Sequence, residues 1–143
     1  MVDAMELHRG RLIDHIQLVV KDIAASKRFY KAVFGVLNIP LGGEADDHIW
    51  ADELFISTKE SDAALGQLTG RVHLAFQGKD REAVDRFYQA AIAAGGRDNG
   101  TPGERKYHDG YYGAFVLDPD GNNIEVVFHG PAKKSAESVK VSF

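Results

Sequence analysis

The stretch that decides the fold is HIQLVVKDIAASKRFYKA, residues 15–32, because it recurs 58 residues later as HLAFQGKDREAVDRFYQA, residues 73–90. The two stretches align without a gap and are identical at 8 of 18 positions. Amphipathic strand–helix units share an apolar period by chance, but seldom a histidine, a Lys-Asp pair and an Arg-Phe-Tyr triplet at equal offsets. We infer an internal duplication.

Each copy predicts a strand followed by a helix. Residues 12–20 and 71–77 alternate in polarity as strands do. Asp22 and Asp80 then stand where an N-cap satisfies the first free helical amides, and apolar residues follow at helical spacing. Gly95-Gly96 is expected to end the second helix, and the two Arg-Phe-Tyr triplets are expected to pack helices rather than to line a site.

Shorter β candidates follow each helix: residues 37–41, 48–51 and 54–57 in the first half, and 111–117 and 123–129 in the second. Asp118-Pro119-Asp120-Gly121 joins the last two as a hairpin turn. Each half is therefore predicted to be a βαβββ unit. The segments 42–47 and 98–110 read as loops, and 59–69 links the halves.

The predicted organisation is a single α+β domain over residues 1–143, built from two modules at about 11–58 and 70–130. The tail, residues 131–143, carries alternating Val139, Val141 and Phe143, so it is either frayed or a short added strand.

Composition narrows the possible functions. The chain has 143 residues, 44% of them hydrophobic and 27% charged, with a formal charge of -4, which is ordinary for a globular domain and excludes disorder and collagen. It has no cysteine, so any metal must have nitrogen or oxygen ligands. The basic residues are scattered, and no apolar run approaches the ~20 residues of a membrane span. We expect a cytoplasmic protein with neither nucleic acid nor membrane as a partner.

Strand alternation predicts which residues share a face. The apolar faces of three strands should pack on the helices: Ile16, Leu18 and Val20; Val72, Leu74 and Phe76; Ile124, Val126 and Phe128. His15, His73 and Glu125 then lie together on the opposite face. A lone histidine at a strand start is more often exposed or hydrogen-bonded, but equivalent positions in two duplicated strands, with a glutamate on the same face, favour a metal site.

Two neutral imidazoles and one carboxylate can hold a divalent ion and leave coordination positions open for substrate. We expect this ion to be Fe, Zn, Ni or Mn, and the sequence does not decide between them. Iron would indicate oxygen chemistry, and nickel or zinc would indicate isomerase or lyase chemistry.

The sequence resembles the vicinal oxygen chelate superfamily, which includes glyoxalase I, bleomycin-resistance proteins, fosfomycin-resistance enzymes and type I extradiol dioxygenases. The resemblance rests on DHIQLVV (14–20), RVHLAF (71–76) and especially YHDGYYGAFVLDPDGNNIEVVFHG (107–130). It implies two βαβββ modules that form a cupped mixed sheet around one metal, with helices on the outer face. It also places His15, His73 and Glu125 on the metal positions and implies a homodimer.

The sequence departs from glyoxalase I, which has a fourth ligand on the last strand of the first module. The central position facing the cup there is Phe55, flanked by Glu53 and Ser57. No fourth ligand is evident, which is closer to the dioxygenase pattern, although extradiol dioxygenases usually have a longer, duplicated chain.

Two other residues are candidates for catalysis beside Glu125. Tyr112 is predicted to face the cup with Ala114 and Val116, where its phenol would bond a substrate oxygen or act as an acid; closing the cup rim is the alternative. His108 stands on the preceding loop, as a general base or as rim packing.

The leading hypothesis is a metal-dependent isomerase, lyase or dioxygenase that acts on a small oxygen-chelating substrate. The alternatives are a drug-sequestering protein of the bleomycin-resistance type and, less favoured, a structural or regulatory module.

Overall fold

The fold consists of two modules with the same topology, as seen in a computed structural model that describes residues 6–143; the first five residues of the predicted domain lie outside this range. The first module contains β2 Ile16–Val19, α1 Ile23–Leu37, β3 Gly43–Ala45, β4 His48–Ala51 and β5 Leu54–Ser57. The second contains β6 His73–Gln77, α2 Arg81–Ala93, β7 Arg97–Glu104, β8 Tyr112–Leu117 and β9 Asn123–Phe128. A 3-10 turn, Asp62–Ala64, lies between them.

The two sheets have equivalent strand orders, β2-β5-β4-β3 and β6-β9-β8-β7. In each, the first and last strands of the module are parallel neighbours and the other pairs are antiparallel. This is the βαβββ arrangement predicted from the repeat. A separate antiparallel ribbon pairs β1 Glu6–Arg9 with β10 Val139–Ser142, so the added-strand alternative for the tail is confirmed.

Both helices begin at the predicted caps. The Asp22 side chain accepts a hydrogen bond from the Ala25 amide at 3.1 Å, and Asp80 accepts one from the Ala83 amide at 2.7 Å. Each bond satisfies one of the free amides of a first helical turn.

One hydrophobic cluster holds the two modules together, and it contains buried side chains from both sheets and both helices. Phe29 and Phe87, the equivalent phenylalanines of the repeated triplets, are both fully buried. The rings of Phe34 and Phe76 lie 6.4 Å apart across the module boundary. The packing role predicted for the triplets is therefore confirmed for these phenylalanines, and the chain has a shared core rather than two.

Two of the predicted elements were wrong. Residues 37–41 do not form a strand, because α1 continues to Leu37 and β3 follows only at Gly43–Ala45, inside the predicted loop. Residues 97–104, mostly predicted as loop, form β7, an edge strand with register shifts around Gly100. An edge strand bonds a neighbour on one side only, so it tolerates the glycines and proline that obscured it in the sequence.

Within residues 6–143, no helix combines the length and the apolar character needed to cross a membrane.

Candidate active site

The sheet faces follow the prediction for the strands that carry the candidate ligands. Leu18, Ile56, Ile124 and Val126 are at most 1% exposed and belong to the core. The alternate residues of these strands lie on the opposite faces of the two sheets. We call that face of the β2-β5-β4-β3 sheet the first cup and that of the β6-β9-β8-β7 sheet the second cup.

Two of the three predicted metal ligands meet in the second cup. His73 starts β6 and Glu125 lies at the middle of β9, and the parallel pairing of these strands places His73 Nε2 2.9 Å from Glu125 Oε1. The Glu125 side chain is 3% exposed, whereas that of His73 is 52% exposed. Ligand atoms at about 2.0–2.2 Å from one tetrahedral zinc ion lie about 3.3–3.6 Å apart, so the two side chains would separate slightly from this hydrogen-bonded spacing to hold a common ion.

Tyr111 holds the other carboxylate oxygen, since its hydroxyl donates a hydrogen bond to Glu125 Oε2. Burial and the Glu125 hydrogen bond both raise the pKa of Tyr111, and the Arg105 charge opposes them. The phenol therefore stays protonated near neutral pH and acts as a donor. The carboxylate is thus fixed from one side by a tyrosine and from the other by a histidine.

Gly113 leaves the space in which the Tyr111 side chain reaches Glu125. A Cβ at this position would lie 3.1 Å from Glu125 Oε2 and 3.3 Å from the Tyr111 ring. The absence of a side chain lets the tyrosine ring cross the strand and reach the carboxylate.

His15, the third predicted ligand, does not join this pair within one chain. Its side chain is 68% exposed, and its Nδ1 lies 2.7 Å from Asp14 Oδ1. It borders a different cavity of ≈ 290 Å³ with Leu7, Trp50 and Phe55 in the first cup. Over residues 6–143, no group of three or more histidine and acidic side chains is placed to hold a metal.

Ser57, which ends β5, and Glu53, the residue before β5, both lie in the first module, away from His73 and Glu125. Ser57 is buried and accepts a hydrogen bond from the Gln17 amide at 2.8 Å. Glu53 lines the first-cup cavity, and burial raises the pKa of its carboxyl group.

The predicted orientation of Tyr112 was wrong. Its hydroxyl donates to Asp85 on α2 at 2.7 Å, and the Arg81 guanidinium lies over its ring. Ala114 and Val116, which share its face, are fully buried in the core. Both faces of β8 are apolar, so alternation alone could not assign them; Tyr111, one residue earlier, is the tyrosine that the second cup contains.

His108 lies at the rim of the second cup rather than beside Glu125. Its Nε2 is 2.9 Å from Nδ1 of His129, and the two rings stack with centroids 5.1 Å apart. The Tyr111 ring contacts both histidines edge-on, so the pair supports the tyrosine that bonds Glu125. A catalytic role for His108 stays a prediction.

The first cup carries an aromatic surface. Trp50 and Phe55 are paired across β4 and β5, and the His48 and Phe55 rings stack with centroids 5.0 Å apart. Gly42 and Gly43 lie directly beneath Trp50, where any Cβ would come within 2.5 Å of the indole.

A family model described as the Glyoxalase/Bleomycin resistance protein/Dioxygenase superfamily matches residues 12–126. The chain belongs to this superfamily. A glyoxalase/bleomycin resistance protein from Albidiferax ferrireducens T118 is 30% identical in sequence; the match covers 81% of this chain and 98% of that one, with a TM-score of 0.70. The resemblance inferred from the motifs is confirmed.

Two more distant structures support the fold alone. A glyoxalase-related enzyme from Fulvimarina pelagi is 20% identical, with coverage of 92% and 97% and a TM-score of 0.71. A lactoylglutathione lyase from Agrobacterium tumefaciens is 21% identical, with coverage of 82% and 92% and a TM-score of 0.59. No curated protein matches the sequence.

Proposed function

We propose that the chain is a divalent-metal-dependent enzyme whose metal is held by His73 and Glu125 of the second cup together with His15 of a partner subunit. The observation that carries the proposal is the 2.9 Å approach of His73 Nε2 to Glu125 Oε1 on an open sheet face. A buried glutamate at this position needs polar partners, and a cation would satisfy it fully.

The need for a partner follows from the position of His15. The two modules pack through a common core, and His15 borders a cavity of the first cup whose lining includes neither His73 nor Glu125. A homodimer that places the first cup of one protomer against the second cup of the other brings the three ligands together. A two-fold axis then produces two equal sites, each built from both chains.

A divalent ion held there would stabilise negative charge on neighbouring oxygens of a small chelating substrate. Tyr111 holds Glu125 in place through the hydrogen bond that its hydroxyl donates to Oε2. His73 rests beside the Phe115 ring, with centroids 5.9 Å apart, which restricts its orientation. These two contacts restrict the positions of the two side chains that would hold the metal and the substrate oxygens.

The reaction is proposed at the level of its class: an isomerisation or lyase reaction, or insertion of dioxygen. Similarity to a lactoylglutathione lyase is one of fold, and it favours the first class only by analogy.

The test is metal uptake by metal-free protein, measured by calorimetric titration with Zn²⁺, Ni²⁺ and Mn²⁺ and by elemental analysis. His73→Ala and Glu125→Gln should each weaken binding at least about tenfold, because each removes a direct ligand. His8→Ala and Glu104→Gln are matched controls, since both residues lie outside the second-cup pair and should leave affinity unchanged. Absence of uptake by the unaltered protein would overturn the proposal.

A second candidate is a protein that sequesters a planar aromatic molecule, and the aromatic surface of the first cup favours it. Trp50 is the single tryptophan of the chain, so its fluorescence reports on this surface. Under this alternative, 9-aminoacridine should bind metal-free and metal-loaded protein with equal affinity, as followed by the quenching of Trp50 fluorescence. The Phe55→Ala substitution should weaken this binding.

A further inference from the structure

Arg105 is placed at the second cup by the start of the β7–β8 connection, directly after the last residue of β7. Its amide donates to the Tyr111 carbonyl at 3.0 Å, so the two residues stand side by side at the start of β8. Tyr111 is the residue that bonds Glu125. Arg105 is half-buried, and it differs from Arg81, which lies on the opposite side of the sheet over Tyr112.

The guanidinium shares an aromatic neighbour with the candidate metal ligand. Arg105 Cζ lies 5.4 Å from the centroid of the Phe115 ring, and the His73 ring lies 5.9 Å from the same centroid. The cation and the histidine therefore contact one side chain. Stacking on an aromatic face fixes the plane of a guanidinium and leaves its edge free to bind.

The neighbouring backbone is shaped around this side chain. A Cβ at Gly103 would lie 3.1 Å from Arg105 Nη1, and one at Gly100 would lie 3.4 Å from Nη2. Nη2 donates to the Thr101 carbonyl at 2.7 Å and Nη1 to the Glu104 carbonyl at 3.3 Å. These bonds orient the guanidinium but use only two of its five N–H groups.

Arg105 has no counterion among the described residues. In the part of the sequence from residue 6 onward, no carboxylate lies within ion-pair distance of it, whereas Arg81 pairs with Glu104 at 2.7 Å. The nearby Glu125 carboxylate is already bound by His73 and Tyr111. A half-buried, oriented guanidinium without a counterion complements a planar carboxylate.

We propose that Arg105 binds a carboxylate of the substrate, several atoms away from the oxygens that are held at His73 and Glu125. This inference rests on the proposed function and narrows it: the substrate carries an oxygen-chelating group and a separate carboxylate. Arg105 is then a specificity-determining residue, because it selects between substrates with the same chelating group.

The experiment uses two probes with the same catechol group. 3-(3,4-Dihydroxyphenyl)propanoate carries a carboxylate arm, and 4-ethylcatechol does not. Calorimetry measures the affinity of zinc-loaded protein for each probe. The variants are Arg105→Gln, Arg105→Lys and, as a control, Arg86→Gln, whose arginine lies on α2 beside Glu82.

We expect the unaltered protein and Arg86→Gln to prefer the carboxylate probe by about 10- to 100-fold, the range for a hydrogen bond between charged groups. Arg105→Gln should lose this preference and keep its affinity for 4-ethylcatechol, and Arg105→Lys should retain only part of it, because lysine lacks the planar fork. A preference that persists in Arg105→Gln, or that is absent from the unaltered protein, would overturn the inference.

Failure of the metal proposal is distinguishable from failure of this one. If the protein takes up no zinc, 3-phenylpropanoate is titrated into metal-free protein and followed by ¹⁵N–¹H chemical shifts. Shifts at Arg105 and Tyr111 that vanish in Arg105→Gln would support the carboxylate site without a metal. Equal shifts in the two proteins, or none in either, would overturn it.

Discussion

Tyr30→Phe tests how the shared core holds the hairpin that carries Glu125. Tyr30 is fully buried, and its hydroxyl donates a hydrogen bond to Asp118 Oδ2 at the end of β8. Three other donors remain on Asp118 in the variant: the Asp120 amide at 3.0 Å, the Asn122 amide at 2.8 Å and the Asn122 side chain at 3.0 Å. The substitution therefore removes one hydrogen bond to the Asp118 carboxylate, which keeps its other hydrogen-bond donors.

A hydrogen bond to a charged group contributes about 1.5–3 kcal/mol, and phenylalanine fills the same space as tyrosine. We therefore expect Tyr30→Phe to lower the free energy of unfolding by about 2 kcal/mol. For a chain of this length, that loss lowers Tm by about 8 °C. Urea unfolding followed by circular dichroism gives the free energy.

Tyr88→Phe is the matched control, because Tyr88 occupies the equivalent place in the second repeat but is only half-buried. The Tyr88→Phe substitution should lower the free energy of unfolding by less than about 1 kcal/mol. Equal losses in the two variants, or a loss below about 0.5 kcal/mol in Tyr30→Phe, would refute the reasoning.

The remaining predictions concern backbone fit and pH. Gly35→Ala, on the exposed side of α1 with no heavy atom within 4 Å of the new Cβ, should raise the free energy of unfolding by about 0.5–1 kcal/mol. Gly96→Ala should lower it by about 1–3 kcal/mol, since the Cβ would lie 2.5 Å from Val116 Cγ1; urea titrations of both variants check the opposite signs. Burial and Asp118 raise the pKa of Tyr30 well above its usual value, so the folded chain keeps a proton that the unfolded chain loses. Stability should therefore fall as pH rises above about 10, less steeply in Tyr30→Phe, as measured by Tm in alkaline buffers.

The duplication made most of the fold predictable, because a repeated strand and helix fix both the topology and the buried faces. Asp22 and Asp80 marked the helix starts through a local hydrogen bond that needs no tertiary information. The edge strand β7 was hidden, since its glycines and proline carry a loop signature and its partner on β8 supplies the pairing.

The site was predictable only in part. His73 and Glu125 sit on neighbouring parallel strands, so alternation was sufficient to bring them together. Tyr111 was missed because β8 is apolar on both faces; the available signal was Gly113, two residues later, which leaves space over the strand. The position of His15 relative to the pair depends on how whole modules pack, and strand periodicity carries no information on that.

The proposed metal site between subunits is tested most directly by mixing two variants that each lack one of the proposed ligands. His15→Ala and Glu125→Gln are each purified, denatured, mixed in equal amounts and refolded, and bound zinc is measured after dialysis. Each variant alone should hold no tightly bound ion. Half of the mixed dimers contain one chain of each kind, and each of these has one intact site, so the mixture should recover about a quarter of the unaltered protein's zinc per chain. Zinc no higher in the mixture than in the separate variants, or full binding by His15→Ala alone, would contradict a site built from two subunits.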